Sequence, residues 1–310
     1  MKPAARLALV QGAPLAPRNG VTPSRVFLPS GPWSFTYEFL CERFPHIAPD
    51  ILHLRLERGD IVDAIGQPVT RDTPYQANTW LWYYRDVPDE VPVPFTLNVL
   101  FQDDLLLAVD KPHFLSSTPG GRYLQETALT RVRQLTGNSM ITPLHRLDRD
   151  TAGVLVFCVN PRYRGAYQAL FQTREVAKEY EAIAPVISDM PEWIRCRMEQ
   201  RPGHFTMQVV PGDPNSVTQA RLVRSSQGRG LYRLKPSTGR KHQLRVHMSL
   251  IGAPIENDMF YPQLQPLPAA DDFEKPLQLL ARRLQFTDPV TGELRDFISQ
   301  RRLAGLDQRV

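Results

Sequence analysis

The sequence predicts an α+β protein: a large sheet-rich domain behind a small N-terminal α/β module. Three observations carry this. Residues 193–236 alternate apolar and polar in steps of two. Turns at Pro202-Gly203, Gly212-Asp213-Pro214 and Gln227-Gly228 interrupt the alternation, which reads as a four-strand antiparallel run. Helical periodicity marks separate segments at 34–44, 127–135 and 161–172. A proline-rich connector, PDEVPVP at 88–94, divides the chain. The expected organisation is an extended arm over 1–32, the small module over 33–90 and the main domain over 91–310.

The arm carries many prolines and glycines and little periodicity, so it reads as extended chain. In the module, Phe35, Phe39, Leu40 and Phe44 recur at helical spacing, giving a short helix over 34–44 with Ser34 as its cap. A second helix runs over 49–58 and stops at Gly59. Ile61-Val62-Asp63, a turn at 65–68 and a strand over 78–85 follow. Trp80, Trp82 and Tyr84 then share one face, open either to packing or to base stacking. Two helices and a hairpin carrying LERGDIVDAIGQPV resemble the αL-type RNA-binding motif. Leu54-Arg55, Glu57-Arg58 and Ile65-Gly66 stand where that motif has a Ser-Arg pair and an Asn-Gly turn.

In the main domain, 97–101 and 105–110 read as strands around the turn at 102–104. A helix over 127–135 turns Ala128, Leu129, Val132 and Leu135 inward and Arg131 and Arg133 to solvent, and closes at Gly137. Then comes PLHRLDRDTAGVLVFCVN, 143–160. Its first half concentrates His145, Arg146, Asp148, Arg149 and Asp150, and its second half is an apolar strand. A carboxylate between two arginines at the root of a buried strand is expected to be ionised and rigid. Taken alone, it is a structural ion pair. Pro161 opens a helix to residue 172, and REVAKEYEAIAP is a strand containing Tyr180. After the four-strand run, KPSTGRKHQLRVH leads into a helix with Leu244, His247, Met248 and Ile251 on one face. His242 and Arg245, three apart, project together from the other. His242 and His247 diverge too far to share a metal.

The totals agree with a globular chain: 310 residues, 42% hydrophobic and 22% charged. Lys and Arg number 37 against 32 Asp and Glu, a net charge of +5 that suits a polyanionic partner. Cys41, Cys158 and Cys196 have no disulfide or zinc spacing. The start has neither a signal peptide nor a membrane span, so the cytoplasm is the expected location.

Several strings resemble the RluA-type pseudouridine synthases, in order along the chain. HRLDRDTAG matches the family's active-site signature, with Ala152 where Ser is usual. AVDKP resembles the first motif, with Lys111-Pro112 after a strand and Phe114 where Gly is usual. VAKEY resembles the K-x-Y motif, and TGRKHQLRVH the TGRxHQLRxH motif. APIENDMFY resembles a G-D-x-x-Y segment, with Asn257 in place of Gly. LLARRLQFTDP resembles the closing hairpin, with Leu280 and Asp288 in place of histidines.

The resemblance implies a mixed, mainly antiparallel sheet flanked by helices, with the catalytic cleft across it. It implies Asp148 as the catalytic residue, Arg245 as its partner and Tyr180 against the target base. Arg146 fills the place of a flipped-out uridine, and Lys111, His145, Arg149, Arg240, His242 and Gln243 contact the substrate. No cofactor and no metal are expected. The expected partner is rRNA or tRNA, the expected state a monomer. Two other classes remain beside this one. A catalytically inactive RNA-binding or ribosome-associated protein would explain the changes at Phe114, Asn257, Leu280 and Asp288. A nucleoside hydrolase would need a second carboxylate, for which Asp150 is the nearest candidate.

Overall fold

The computed structural model describes residues 13–85, 90–121, 123–266, 269 and 272–304. The first twelve residues of the arm, Pro88 and Asp89 of the connector and the last six residues lie outside them. The chain forms two compact units, 1–89 and 90–310.

The small unit is a three-stranded antiparallel sheet, β1 (Ser24–Leu28), β2 (Ile61–Val62) and β3 (Thr79–Tyr83), with β3 in the middle. Helices α1 (Thr36–Arg43) and α2 (Pro49–Glu57) bury Phe39, Leu40, Leu52 and Leu56 against Val26, Leu28 and Leu81. β1 falls in the stretch expected as an extended arm. Its short alternation in SRVFL is the signal that reading passed over. Ser34 does not cap α1 through its side chain. The cap runs the other way, with Glu38 Oε2 accepting from the N–H groups of Ser34 (2.8 Å) and Phe35 (3.1 Å). The aromatic stripe is held within the unit: Arg25 lies over Trp80 (4.4 Å) and Trp82 (5.5 Å), and Arg18 over Tyr84 (3.7 Å). The arginines of α2 are also held internally. Arg55 is buried and donates to Tyr84 O, and Arg58 pairs with Asp60 at 2.9 Å.

The large unit is one eleven-stranded sheet. Its strands are β4 (Asn98–Gln102), β5 (Leu106–Lys111), β6 (Thr142–Pro143), β7 (Ala152–Cys158), β8 (Ala177–Pro185), β9 (Trp193–Gln200), β10 (Met207–Val210), β11 (Ser216–Ser226), β12 (Arg229–Pro236), β13 (Leu279–Thr287) and β14 (Leu294–Ile298). The order is β10-β9-β11-β12-β8-β13-β7-β5-β4, with β14 on β13 and β6 on β7. Neighbours run antiparallel except β13 and β7, which meet parallel at Leu280–Ala152 and Ala281–Gly153. The sheet is therefore mixed and mainly antiparallel.

Alternation along β5 and β7 sends Leu107, Val109, Leu155 and Phe157 to one face, under α3 (Ala128–Thr136). Leu106, Ala108, Val154 and Val156 go to the other, under α4 (Arg164–Thr173). A 3₁₀ turn at Pro161–Tyr163 precedes α4. Thr127 Oγ1 caps α3 by accepting from Thr130 N (3.1 Å), and Gly137 ends it at φ +67°. Two expectations for α3 fail. Leu135 is 63% exposed. Arg133, expected in solvent, is buried and donates to Ile141 O (3.1 Å), because the helix lies flat on the sheet over more of its girth than one stripe. α5 (Gln243–Leu250) packs Leu244 and Met248 on Ala182, Ala184 and Leu234. Tyr180 belongs to the apolar clusters under both α3 and α5, so these helices share a face with β8 beneath the gap between them.

Candidate active site

That gap is a cavity of about 610 Å³, lined by the 144–151 loop, Lys178 and Tyr180 of β8, and the 236–245 segment. The loop before β7 is fastened by its backbone. Ser117 Oγ donates to Leu147 O (2.6 Å) and accepts from Leu147 N (2.9 Å). Lys111 Nζ donates to Arg149 O (3.1 Å), Pro112 O (3.0 Å) and Leu115 O (2.7 Å). His113 Nδ1 donates to Asp150 O (2.7 Å). Three side chains of one segment thus hold residues 147, 149 and 150 and leave the side chain of 148 to the cavity.

The arginines beside Asp148 in sequence are not its partners. Arg149 pairs with Asp150 (2.9 Å) and lies over Phe114 and Tyr123. Arg146 is exposed at the cleft and makes no hydrogen bond or ion pair among the described residues. The cation nearest Asp148 is Arg245, with Nη1 3.7 Å from Oδ2; the neutral His242 has Nε2 4.0 Å from the same oxygen.

Burial pushes the Asp148 carboxyl above its ordinary value, against the pull of Arg245, Lys111 and Lys241. This corrects the expectation that arginine simply keeps it ionised. About 29% of the side chain remains open to the cleft, so it is a carboxylate at the bottom of a pocket, not one sealed in the core.

Arg245 is itself anchored by Asp258, a residue sequence reasoning passed over although it lies in the G-D-x-x-Y segment. Nε donates to Oδ2 at 2.8 Å and Nη2 to Oδ1 at 2.5 Å. Burial opposes the Arg245 charge most strongly. Asp258, Asp148 and Asp150 more than offset it and hold the guanidinium above its usual value. Phe260 covers the guanidinium at 4.4 Å. The burial of Tyr180, and then the Asp148 charge, raise its phenol, so it is a neutral ring beside the acid.

Of the expected substrate contacts, Arg146, Arg149, Arg240, His242, His145 and Gln243 line the cleft, and Lys111 does not. Lys111, Gln243 and His145 have their polar groups engaged by the protein itself. Lys111 is fully buried on its three carbonyls and lines no part of the cavity. Gln243 donates to Val217 O and Thr218 Oγ1 and accepts from Thr238 Oγ1 and Arg240 N, tying the 238–243 turn to β11. His145 stacks on Phe171 and accepts from Val156 N (3.2 Å). Burial lowers it to about 3, so it stays neutral.

A family model described as RNA pseudouridylate synthase matches residues 105–250. The chain is 34% identical over 223 residues to the dual-specificity RNA pseudouridine synthase RluA of Haemophilus influenzae, covering 66% of this chain and 94% of that one. It belongs to the RluA-type family of RNA pseudouridine synthases. The ribosomal large subunit pseudouridine synthase D of Pasteurella multocida is 30% identical over 69% of this chain and 68% of its own. Among solved structures, human RNA pseudouridylate synthase domain containing 4 superposes with a TM-score of 0.51 at 27% identity, over 66% of this chain and 88% of that one.

As an RluA-type synthase the chain departs from its family's pattern at four positions besides Ala152, and the structure absorbs each. Phe114 and Asn257 adopt φ of +65° and +60°, the left-handed backbone that glycine usually supplies. Phe114 is held there by Phe95 and Phe273, and Asn257 by donating to Pro276 O (3.0 Å). Leu280 is core. Asp288 is a buried knot that accepts from Tyr167, Arg295, Val290 N and Thr291 N.

Among the described residues no helix is long and apolar enough to cross a membrane.

Proposed function

We propose that the chain isomerises uridines in a structured RNA, ribosomal or transfer, to pseudouridine, with Asp148 as the acting carboxylate. The observation that carries this is one carboxylate at the floor of a cleft, held by its backbone, with Arg245 and Tyr180 beside it. The RNA class follows from the family and from the relative that acts on the ribosomal large subunit.

The ionised Asp148 acts at the ribose, on the anomeric carbon or its neighbouring proton, as the N1–C1′ bond breaks. The uracil turns in its own plane and rejoins C1′ through C5, which releases the carboxylate from C1′ in the first case or returns the C2′ proton from it in the second. The proton on C5 is lost and N1 gains one, so atoms balance. Arg245 stabilises the carboxylate. Tyr180, kept protonated, serves as a stacking ring rather than a base. Arg146, unengaged at the rim, fills the space of the everted nucleotide, whose unstacking costs a few kcal/mol. The cations of the cleft, Arg240, Lys241 and Lys178, face phosphate. The small unit adds less to RNA contact, because Arg55 and Arg58 are held by Tyr84 O and Asp60. A monomeric enzyme of the cytoplasm is part of this reading.

The hydrolase reading lacks its second acid, since Asp150 is paired with Arg149 and Asp258 with Arg245. The inactive-binder reading loses its motive once the four departures are seen to keep the fold. The test is release of tritium from C5-tritiated uridine in total rRNA and tRNA. Turnover is expected from the native protein and none, below about a hundredth, from Asp148→Asn with folding and RNA affinity kept. Activity retained by Asp148→Asn sinks the proposal, and free uracil in the products favours the hydrolase.

A further inference from the structure

His242 was expected to touch substrate, but its ring is wired at both ends. Its backbone is left-handed, φ +55°, at the residue that caps α5, which swings the imidazole into the site. Nδ1 lies 2.8 Å from the Tyr261 hydroxyl, and that hydroxyl accepts from Met207 N at 2.8 Å. Nε2 lies 4.0 Å from Asp148 Oδ2.

The direction of this chain follows from what each group is able to donate. A backbone N–H only donates, so the Tyr261 oxygen accepts from Met207. Its own proton then needs an acceptor in a buried setting, and among the described residues that acceptor is His242 Nδ1. Burial pushes the Tyr261 phenol up to about 12 and pulls His242 down to about 3, so both are neutral and the phenol keeps its proton. A neutral imidazole whose Nδ1 accepts must carry its hydrogen on Nε2.

We propose that His242 is a positioning residue, locked by Tyr261 into the Nε2–H tautomer so that it donates to Oδ2 of Asp148. Arg245 Nη1 aims at the same oxygen from 3.7 Å and is buried with no hydrogen-bond partner among the described residues. Two donors on Oδ2 leave Oδ1 as the oxygen that acts. Both distances are longer than hydrogen bonds and close when substrate fills the cleft, as such contacts do between free and occupied sites. Were Nε2 bare, its lone pair would face the carboxylate and repel it.

This rests on the reading of Asp148 given above, and the test separates the two. Histidine-labelled protein is examined by 15N NMR, with the His242 signals assigned by their absence from His242→Gln. An unprotonated Nδ1 and a protonated Nε2 are expected; the opposite tautomer overturns the proposal, whatever the variants do. Turnover is then compared in Tyr261→Phe, His242→Gln and the double variant. Tyr261→Phe is expected to lower kcat about tenfold with KM unchanged. In the His242→Gln background, where no tautomer remains to be set, the same change is expected to cost nothing further. An equal loss in both backgrounds makes Tyr261 merely structural and overturns the proposal. Activity in Asp148→Asn would remove the underlying mechanism while leaving the tautomer result standing.

Discussion

Arg245 gives Nε and Nη2 to Asp258 and has only Nη1 to turn toward Asp148. The Arg245–Asp258 pair is sealed, with both side chains at most 2% exposed, whereas Asp148 stays open to the cleft. The arginine is a fixture, set by a buried acid, and Asp148, the carboxylate proposed to act, approaches it from the other side.

Removing one member of a sealed pair strands the other. Asp258→Ala is expected to destabilise the large unit by about 3–5 kcal/mol. Replacing both, Arg245→Met with Asp258→Leu, is expected to cost less than the single change, because neither member of the sealed pair is left without the other and Asp148 stays open to the cleft. Urea unfolding of both variants decides it. A double variant weaker than Asp258→Ala would contradict this account of the pair.

Gly153 is where two strands come closest. Its φ is +113°, and a Cβ there would meet Ala281 O at 2.2 Å across the parallel β7–β13 contact. Gly153→Ala is expected to cost on the order of 3 kcal/mol, from overpacking and backbone strain together. Because β7 follows the Asp148 loop, turnover per folded molecule is expected to fall as well. A variant as stable as the native protein would mean that β13 moves aside.

Much of this was legible in the residues. Period two gave the antiparallel run of β9–β12, and Gly137 closed α3 as expected, while Thr127, read as the first residue of that helix, is its N-cap. The motif strings placed Asp148, Tyr180 and Arg245 on separate elements that the fold brings to one cleft. What was not legible is partner choice. Arg146 and Arg149 flank Asp148 in sequence, but alternate directions along an extended loop send them to the rim and to Asp150. The true partner comes from α5, almost a hundred residues on. Lys111 and Gln243 look polar enough to meet substrate, yet burial obliges them to satisfy nearby carbonyls first. Asp258 was hidden because its role exists only once Arg245 is folded beside it.

Lys111 shows the consequence. Burial pulls its ammonium down to about 7, with Asp150 and Asp148 pulling back, and three carbonyls require its three hydrogens. Lys111→Met keeps the bulk and leaves those acceptors bare. It is expected to lower stability by about 2–4 kcal/mol and kcat by tenfold or more, with RNA affinity nearly unchanged. Loss of affinity alone, with kcat intact, would return Lys111 to the substrate surface.

The rim cations should divide by role. Arg240 is exposed at the cleft, and with a phosphate contact there Arg240→Ala is expected to weaken binding and reduce the slope of log K against log salt by about 0.7 to 0.9. Arg146 is proposed to fill the space of the everted base. Arg146→Ala is expected to lower turnover while leaving that slope unchanged. Filter binding across a salt series reads both, and a flat response of the native protein to salt would argue against RNA as the ligand.

The raised Asp148 carboxyl has two readouts of opposite sign. Activity needs the ionised form, so kcat/KM is expected to climb with pH along an acid limb lying above the ordinary carboxylate range. Stability moves the other way. With the folded pKa above the unfolded one, the native state holds the proton longer, so folding stability falls as pH rises through that window and stays lower above it. Asp148→Asn has no charge to bury. It is expected to lack this decrease and to be at least as stable as the native protein at neutral pH, though inactive. Urea midpoints for the two proteins from acid to neutral pH test this. A variant less stable than the native protein at neutral pH would mean that Arg245 and His242 stabilise the charge by more than its burial costs.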